Sequence, residues 1–572
     1  MRRDRTIGRL VRRRARPWLL TPTVERVEGR ILLSTFTVTN TNDDTNTGSL
    51  RWAIGQSNAA PGSNLINFNI TGAGVHSIAI TTALPALTVP VTIDATMQPG
   101  YTTTPLIELN GSGVAANIDG LDVKGGGSTI KGLAINRFSG EGISLSVAGG
   151  DTITKNFIGT DPTGKIAQGN KKDGVIVLSN SSNNTISGNL ISSNTNNGVY
   201  LNGSSAGGNL STANDLIAGN LIGTDVTGTA TLGNLQDGVY VQNAPQTTVG
   251  GTTAAARNIL SGNGTGIELY NNSDGTVVQG NYIGTDITGE VALGNNGPNG
   301  FFQDNLVFRG LSNSTIGGTA MGAGNVISGG QNYGIDCFVI GSSGLTIQGN
   351  LVGTDATGTK ALPNKTAGIL ISGPTNVTIG GSVAGARNIV SGNTGDGIAT
   401  RFGAAGLVIQ GNYSGVGIDG SQPLGNGGAG IDVTSTGVSV GGLGAGQGNI
   451  VANNGGVGPF NRSGVIVTVA ATPVLSNSIY NNHKLGIELQ NGNNGQVAPV
   501  LISANSMNTT STVVGSLTSA SGNYIVQFFA TPSLNFSGNA EGAVAAGHAD
   551  GDGGGRVGQL QPDTPFGVRP GQ

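Results

Sequence analysis

The chain has 572 residues, of which 10% are charged and 4% aromatic, yet it holds 101 Gly and 59 Asn. A closed globular core of that size uses more aromatics and more charge, while a mean hydropathy of +0.01 with regularly recurring Val and Ile excludes a disordered chain. Residues 1–30 carry 10 of the 28 Lys and Arg and 3 of the 31 Asp and Glu, so the remaining body has 18 basic against 28 acidic residues. That balance excludes nucleic acid as the body's partner, because phosphate binding needs clustered cations.

The head MRRDRTIGRLVRRRARPWLL has a basic start but no apolar stretch behind it, which fits a conventional signal peptide poorly. No window approaches the roughly 18 apolar residues of a membrane-spanning helix. Next comes Val24-Glu-Arg-Val-Glu-Gly-Arg-Ile-Leu-Leu-Ser34, then Thr35-Phe-Thr-Val-Thr-Asn-Thr-Asn-Asp-Asp44 and Gly48-Ser-Leu-Arg-Trp-Ala-Ile54. This succession, over roughly residues 20–70, resembles the amino end of planctomycete-type exported β-helix proteins. There a basic head precedes an L-E-x-R-x-L-L-S segment, and a strand and a "GSLRxAI" helix open the repeat body. Val27 stands where Leu is usual. The resemblance implies an export or sorting role for residues 1–34 and an extracellular or cell-surface location.

Ser49–Asn58 reads as a short helix with Leu50 and Ile54 on its apolar side and Pro61 just beyond its end. It serves as a lid, since a stacked β-structure exposes its core at the first coil. Alternation at Ile66-Asn-Phe-Asn-Ile70 and Ser77-Ile-Ala-Ile80 predicts strands.

The body repeats every 62 residues or so. Asn-x-Ile-Gly-Thr-Asp-x-Thr-Gly occurs at Asn156–Gly164, Asn220–Gly228 and Asn281–Gly289, with Val for Ile at Asn350–Gly358 and a degraded copy at Asn412–Gly420. Half a period away stand Thr248-Val-Gly-Gly251, Thr315-Ile-Gly-Gly318, Thr378-Ile-Gly-Gly381 and Ser439-Val-Gly-Gly442. From residue 120 the body divides into about 13 coils, each opening on Gly-apolar-x-apolar and adding a second and a third short strand. Three short strands per turn, with Gly and Asn at the corners, predict an all-β, single-stranded right-handed parallel β-helix. Stacked Asn can ladder amide to amide between coils. At about 4.8 Å per coil the rod is roughly 60 Å long. The Gly-Thr-Asp-x-Thr-Gly insertion falls on alternate coils and should line one edge. Pro499–Ala530 reads as strands of a small β-module over 499–540, and Glu541–Gln572, Gly/Asp/Arg/Pro-rich and aperiodic, as a disordered tail behind a truncated or frame-shifted module. The domains are therefore 1–34, a cap with first coils at 35–119, the β-helix at 120–498, the module at 499–540 and the tail.

β-Helices of this kind resemble pectate lyases, polygalacturonases and alginate epimerases, so catalysis has to be weighed. The three histidines, His76, His483 and His548, lie outside the main coils or near their end. The paired-aspartate, His-Gly and Asp-Pro-His-Asp signatures of those enzymes are absent from the sequence, and no catalytic residue is assigned. A polysaccharide lyase or hydrolase stays open as the alternative to a structural or adhesive role.

The middle residue of each coil opening should point outward, giving the row Asp122, Ser144, Ile176, Tyr200, Tyr240, Glu268, Val307, Asp336, Leu370, Ala399, Asp432, Ile466, Glu488. Tyr200 and Tyr240 beside Glu268, with Asp336 two coils on, form the candidate carbohydrate site, read either as a sugar platform or as a plain packing ladder. Asp161, Asp225, Asp286 and Asp355 recur in the long loops; they offer calcium oxygen ligands, or cap their own loops as Asx-turns. No other cofactor is implied. The partner is expected to be a polysaccharide or cell-envelope component, and the protein a monomer. Phe301 and Phe302 read as a cover for the rod or a binding patch, and the single Cys337 as a small buried hydrophobe.

Overall fold

The computed structural model describes residues 33–203, 212–297, 303–339, 341–456 and 462–496, and farther on 500–507, 510–516, 523–530, 538 and 542–552. Residues 1–32, which carry the basic head and most of the export motif, lie outside the described residues, as do Phe301, Phe302 and 553–572. Among the described residues no helix is long and apolar enough to cross a membrane.

Three sheets of 15, 14 and 13 strands run the length of the body, and beyond the first strands at the amino end neighbours within each sheet are three strands apart in the chain. Every ladder in these sheets is parallel, as in Val175–Leu178 beside Val199–Asn202. The protein is an all-β parallel β-helix solenoid. The sheet of first strands, Leu121–Val123 to Ile487–Leu489, has 13 members and matches the predicted coil count.

Period-two patterning places two apolar side chains of each first-sheet strand inside, as Val175 and Val177, and typically one of each shorter strand. Ile130, Ile153, Ile186, Ile217 and Val249 stack in register on the second sheet, all fully buried. Phe138 and Phe308 are among the few aromatics in this core, which branched aliphatics fill at almost every level. Cys337 is one such member, fully buried.

Two columns of asparagine hold the corners. Asn156, Asn189, Asn220, Asn258, Asn281, Asn325, Asn350, Asn388, Asn412, Asn449 and Asn477 form the first, each Nδ2 donating to the Oδ1 of the next. The second runs from Asn170 through Asn194, Asn234 and Asn263 to Asn482 at the same spacing. The same Nδ2 groups also donate to carbonyls such as Ile186 and Ile217 O, so each amide closes backbone groups that the tight corner leaves unpaired.

At the amino end the helix Leu50–Ala59 covers the first coil, one residue out of step with the predicted range. Ser49 Oγ caps it by accepting from Trp52 N at 3.0 Å, and Leu50, Ala53 and Ile54 enter the core. At the other end Val500–Met507 pairs antiparallel with Thr510–Ser516, and Asn523–Ala530 with Val544–Asp552. Within the expected tail, Val544–Asp552 is a strand: despite its Gly and Asp content, its backbone pairs with the apolar Asn523–Ala530, while 553–572 lie outside the described residues. Gln527 docks this ladder on the last coils, accepting from Ser476 N at 2.7 Å and donating to Ser476 Oγ at 2.9 Å.

Candidate functional site

The outward row of the first sheet forms as read from period two. Asp122 pairs with Ser144, Ser144 with Ile176, Ile176 with Tyr200, and the register continues through Tyr240, Glu268, Val307 and Asp336 to Glu488. Glu268 and Asp336 are thus two coils apart, with Val307 between them.

Tyr200 and Tyr240 stack with ring centroids 4.9 Å apart, and Tyr240 and Tyr270 at 6.4 Å, each pair tilted by 20°. Tyr270 was not in the predicted set. It sits two residues beyond Glu268, on the same face of the strand, and that spacing was the available signal. Arg309 lies over the Tyr270 ring at 4.4 Å while its Nε donates to Glu268 Oε1 at 2.8 Å. The faces of the middle ring are therefore turned to its neighbours. A ligand meets ring edges and hydroxyls rather than an open platform, and Tyr200 Oη already donates to Gln242 Oε1 at 2.6 Å.

Charge is concentrated beside these rings. Burial raises Glu268 above the usual carboxyl range and Arg309 opposes the rise. Asp237, in the preceding coil, is pushed well up by burial and then by the Glu268 charge. A second pair lies toward the amino end, where Asp173 N donates to Glu141 Oε2 at 2.6 Å and Lys172 Nζ stands 3.5 Å from Glu141. Burial, then the neighbouring Asp173, carries Glu141 to about 7, and burial carries Asp173 to about 6. Farther along, burial lifts Asp336 to about 7 and Asp304, with Asp336 adding to the effect, to about 8.

The loop aspartates sit apart from this face, and each is engaged by its own loop. Asp161 accepts from Thr163 Oγ1 at 2.7 Å and from Lys165 N and Ile166 N at 3.1 and 2.9 Å. Asp225, Asp286 and Asp355 repeat the pattern through Thr227, Thr288 and Thr357. Partial burial would raise Asp161 and Asp225, but these bonds outweigh it and hold both below the ordinary value. Among the described residues no group of three or more His, Cys, Asp or Glu is arranged to hold a metal.

The loops are not isolated from one another. Val226 N donates to Gly164 O, Ile287 N to Gly228 O, Ala356 N to Gly289 O and Ile418 N to Gly358 O, at 2.9 to 3.0 Å. Each loop bridges a whole coil to touch the next. Under the first span Leu190 is 2% exposed although it faces outward, packed with Phe157, Leu221 and Val226. The degraded fifth copy makes the same contact, since a backbone bond needs no particular side chain. In the short insertions Arg257 and Arg387 lie 4.0 Å above the rings of Tyr282 and Tyr413. His76 lies on the third sheet, and His483 follows the last Asn of the second column.

No family model and no curated protein matches the chain. Among solved structures it is similar to the Dettilon tailspike protein, with 14% identity and a TM-score of 0.43 over 92% of this chain and 91% of that one. It is similar also to the A-module of the Azotobacter vinelandii mannuronan C-5 epimerase AlgE4, with 11% identity and a TM-score of 0.38 over 79% and 95%. Pectate lyase Pel9A is a third, with 13% identity and a TM-score of 0.29 over 66% and 80%.

Proposed function

We propose that the protein is an exported or cell-surface rod with a structural or adhesive role, binding polysaccharide along the outward face of its first sheet. The observation that carries this reading is the half-exposed row of Tyr200, Tyr240 and Tyr270, closed at one end by the Glu268–Arg309 pair. Hydroxyl edges, an amide and a fixed ion pair, repeated at coil spacing, suit a hydroxyl-rich chain laid along the rod, which gains affinity from many weak contacts. The basic head and the Val27–Ser34 segment support export.

The test is a glycan-array screen of the full chain, with and without calcium, alongside an assay for unsaturated and reducing sugar products. Binding without turnover, lost in Tyr200→Ala and Tyr240→Ala, supports an adhesive face. Silence on every glycan refutes it. A lyase or hydrolase is the second reading, favoured by Glu141 and Asp173 in contact beside Lys172, and product formation lost in Glu141→Gln would establish it.

A further inference from the structure

The outward row of the first sheet contains five acidic residues: Asp122, Glu268, Asp336, Asp432 and Glu488. Four of them have a cation from the chain itself. Lys124 stands 2.7 Å from Asp122 and Arg401 3.0 Å from Asp432, while Arg309 pairs with Glu268 and Lys484 with Glu488. Asp336 is the exception among the described residues. It makes no ion pair, and its Oδ1 is buried without any hydrogen-bond partner, although the residue is only 7% exposed. Its neighbours in the row are Val307 on one side and Leu370 on the other, which offer no donor. One coil back, Asp304 is fully buried; its Oδ1 accepts from Tyr333 N at 2.8 Å and its Oδ2 has no partner. A buried carboxyl without a donor costs stability, and native proteins keep few of them without a use.

The other charged and titratable groups around this spot do not neutralise it. Tyr333 is raised by burial and then by Asp336, Asp304 and Asp396, with Arg401 opposing. Arg401 is already held by Asp396 Oδ2 at 3.3 Å and Asp432 Oδ2 at 3.0 Å. The Cys337 thiol, on the inner side of the same strand, is raised by burial and then by Asp336. Asp336 is thus the one acid of the row without a cation among the described residues, and fully buried Asp304 behind it has hydrogen bonds from Tyr333 and Asn332 but no cation either.

We infer that Asp336, backed by Asp304, is a subsite for the ammonium group of an amino sugar in a bound glycan, the ligand supplying the cation that the chain withholds there. An alkylammonium offers three donors from one compact charge, which suits an unpartnered carboxylate oxygen without the full ligand shell that calcium needs. The inference rests on the polysaccharide reading of the first face and narrows it to a hydroxyl-rich chain carrying free amines. Binding favours ionised carboxylates, and burial leaves both acids partly protonated near neutrality. Ligand binding there expels protons.

The experiment is calorimetry of the full chain at pH 6, where the amines are mostly charged and both acids mostly protonated, in two buffers of different ionisation enthalpy, titrated with a glucosamine hexamer and with its fully N-acetylated counterpart. The free amine form should bind about 10- to 100-fold tighter, as for a charge-assisted hydrogen bond, with net proton release. Asp336→Asn, which keeps the shape, should remove both the preference and the proton release, while its melting temperature shows that it still folds. Equal affinity for the two hexamers overturns the subsite, as does an unchanged preference in Asp336→Asn, or calcium binding that Asp336→Asn abolishes. If only uncharged glycans bind and Tyr240→Ala abolishes that binding, the subsite fails and the polysaccharide face stands. If no glycan binds, both fail.

Discussion

Removing one amide from the middle of an asparagine column should open the rod locally. Asn258 is fully buried; its Oδ1 accepts from Asn220 N and Nδ2 at 2.9 and 3.0 Å, and its Nδ2 donates to Ile217 O at 2.8 Å and Asn281 Oδ1 at 2.9 Å. Asn258→Ala removes four bonds at once and orphans the Asn220 N–H and the Ile217 carbonyl inside the corner. Each orphaned buried group costs about 1–3 kcal/mol, so the change should cost about 3–5 kcal/mol in total. Because a solenoid's coils interact mainly with their neighbours, the loss should stay in the coils around the substitution rather than shift one global transition. Native-state hydrogen exchange is the assay: protection at the amides of Asn220 and Ile259 should fall by about 100- to 4,000-fold, at roughly 1.4 kcal/mol per tenfold. Asn196→Ala, at a half-buried position outside both columns, should change stability by less than about 0.5 kcal/mol. Protection factors in the Asn258 variant that match the wild type within about threefold would refute the view that the columns hold the corners.

Acidity should favour the rod. Glu141, Asp173, Asp304 and Asp336 have folded values of about 7, 6, 8 and 7, above the unfolded range near 4, so the stability they contribute is complete below pH 4 and is lost as pH rises through those values. The melting temperature should therefore fall between pH 5 and pH 8, and Asp336→Asn should flatten the fall; a rise over that range would contradict the assignment. The opposite sign holds for the loops, where Asp161 and Asp225 lie below the ordinary value and their contribution is lost only as pH drops below about 4. Asp225→Ala should leave the core intact but increase proteolytic cutting within residues 225–231, and unchanged cutting would show that the turn holds itself. Tyr240→Leu should cost about 0.5–1.5 kcal/mol for each stacked pair it breaks, read as a lower denaturation midpoint with the fold retained.

Much of the architecture was legible because its causes are local. A period of two fixes which residue of Gly-apolar-x-apolar points out, so the whole row from Asp122 to Glu488 could be written from spacing alone. Corner Asn residues were legible only in part: Asn180, Asn183, Asn214 and Asn271 take the positive φ that a short amide tolerates at a tight turn, whereas no Asn of the two columns does, the left-handed residue often being the one before it, as at Gly188, Gly219 and Gly280. Other features depended on contacts that no spacing states. Nothing in the sequence says that Val226 reaches back over a coil to Gly164, or that Leu190 is buried beneath. The Tyr200 and Tyr240 rings were foreseen as neighbours, yet their orientation came from the packing of Tyr270 and Arg309. Composition alone likewise hid the strand Val544–Asp552, because its partner Asn523–Ala530 supplies most of the apolar residues of the pair.

The contact of each long loop with its counterpart two coils away fixes the unit in which this rod can grow. A chain lengthened by a single coil would set a short turn where the bridge needs a long loop, exposing the outward apolar residue that the bridge now covers. Lengthening by two coils restores every contact. Engineered rods of this type should therefore be cut and extended in whole pairs, with the join placed at the same point of the loop in both copies.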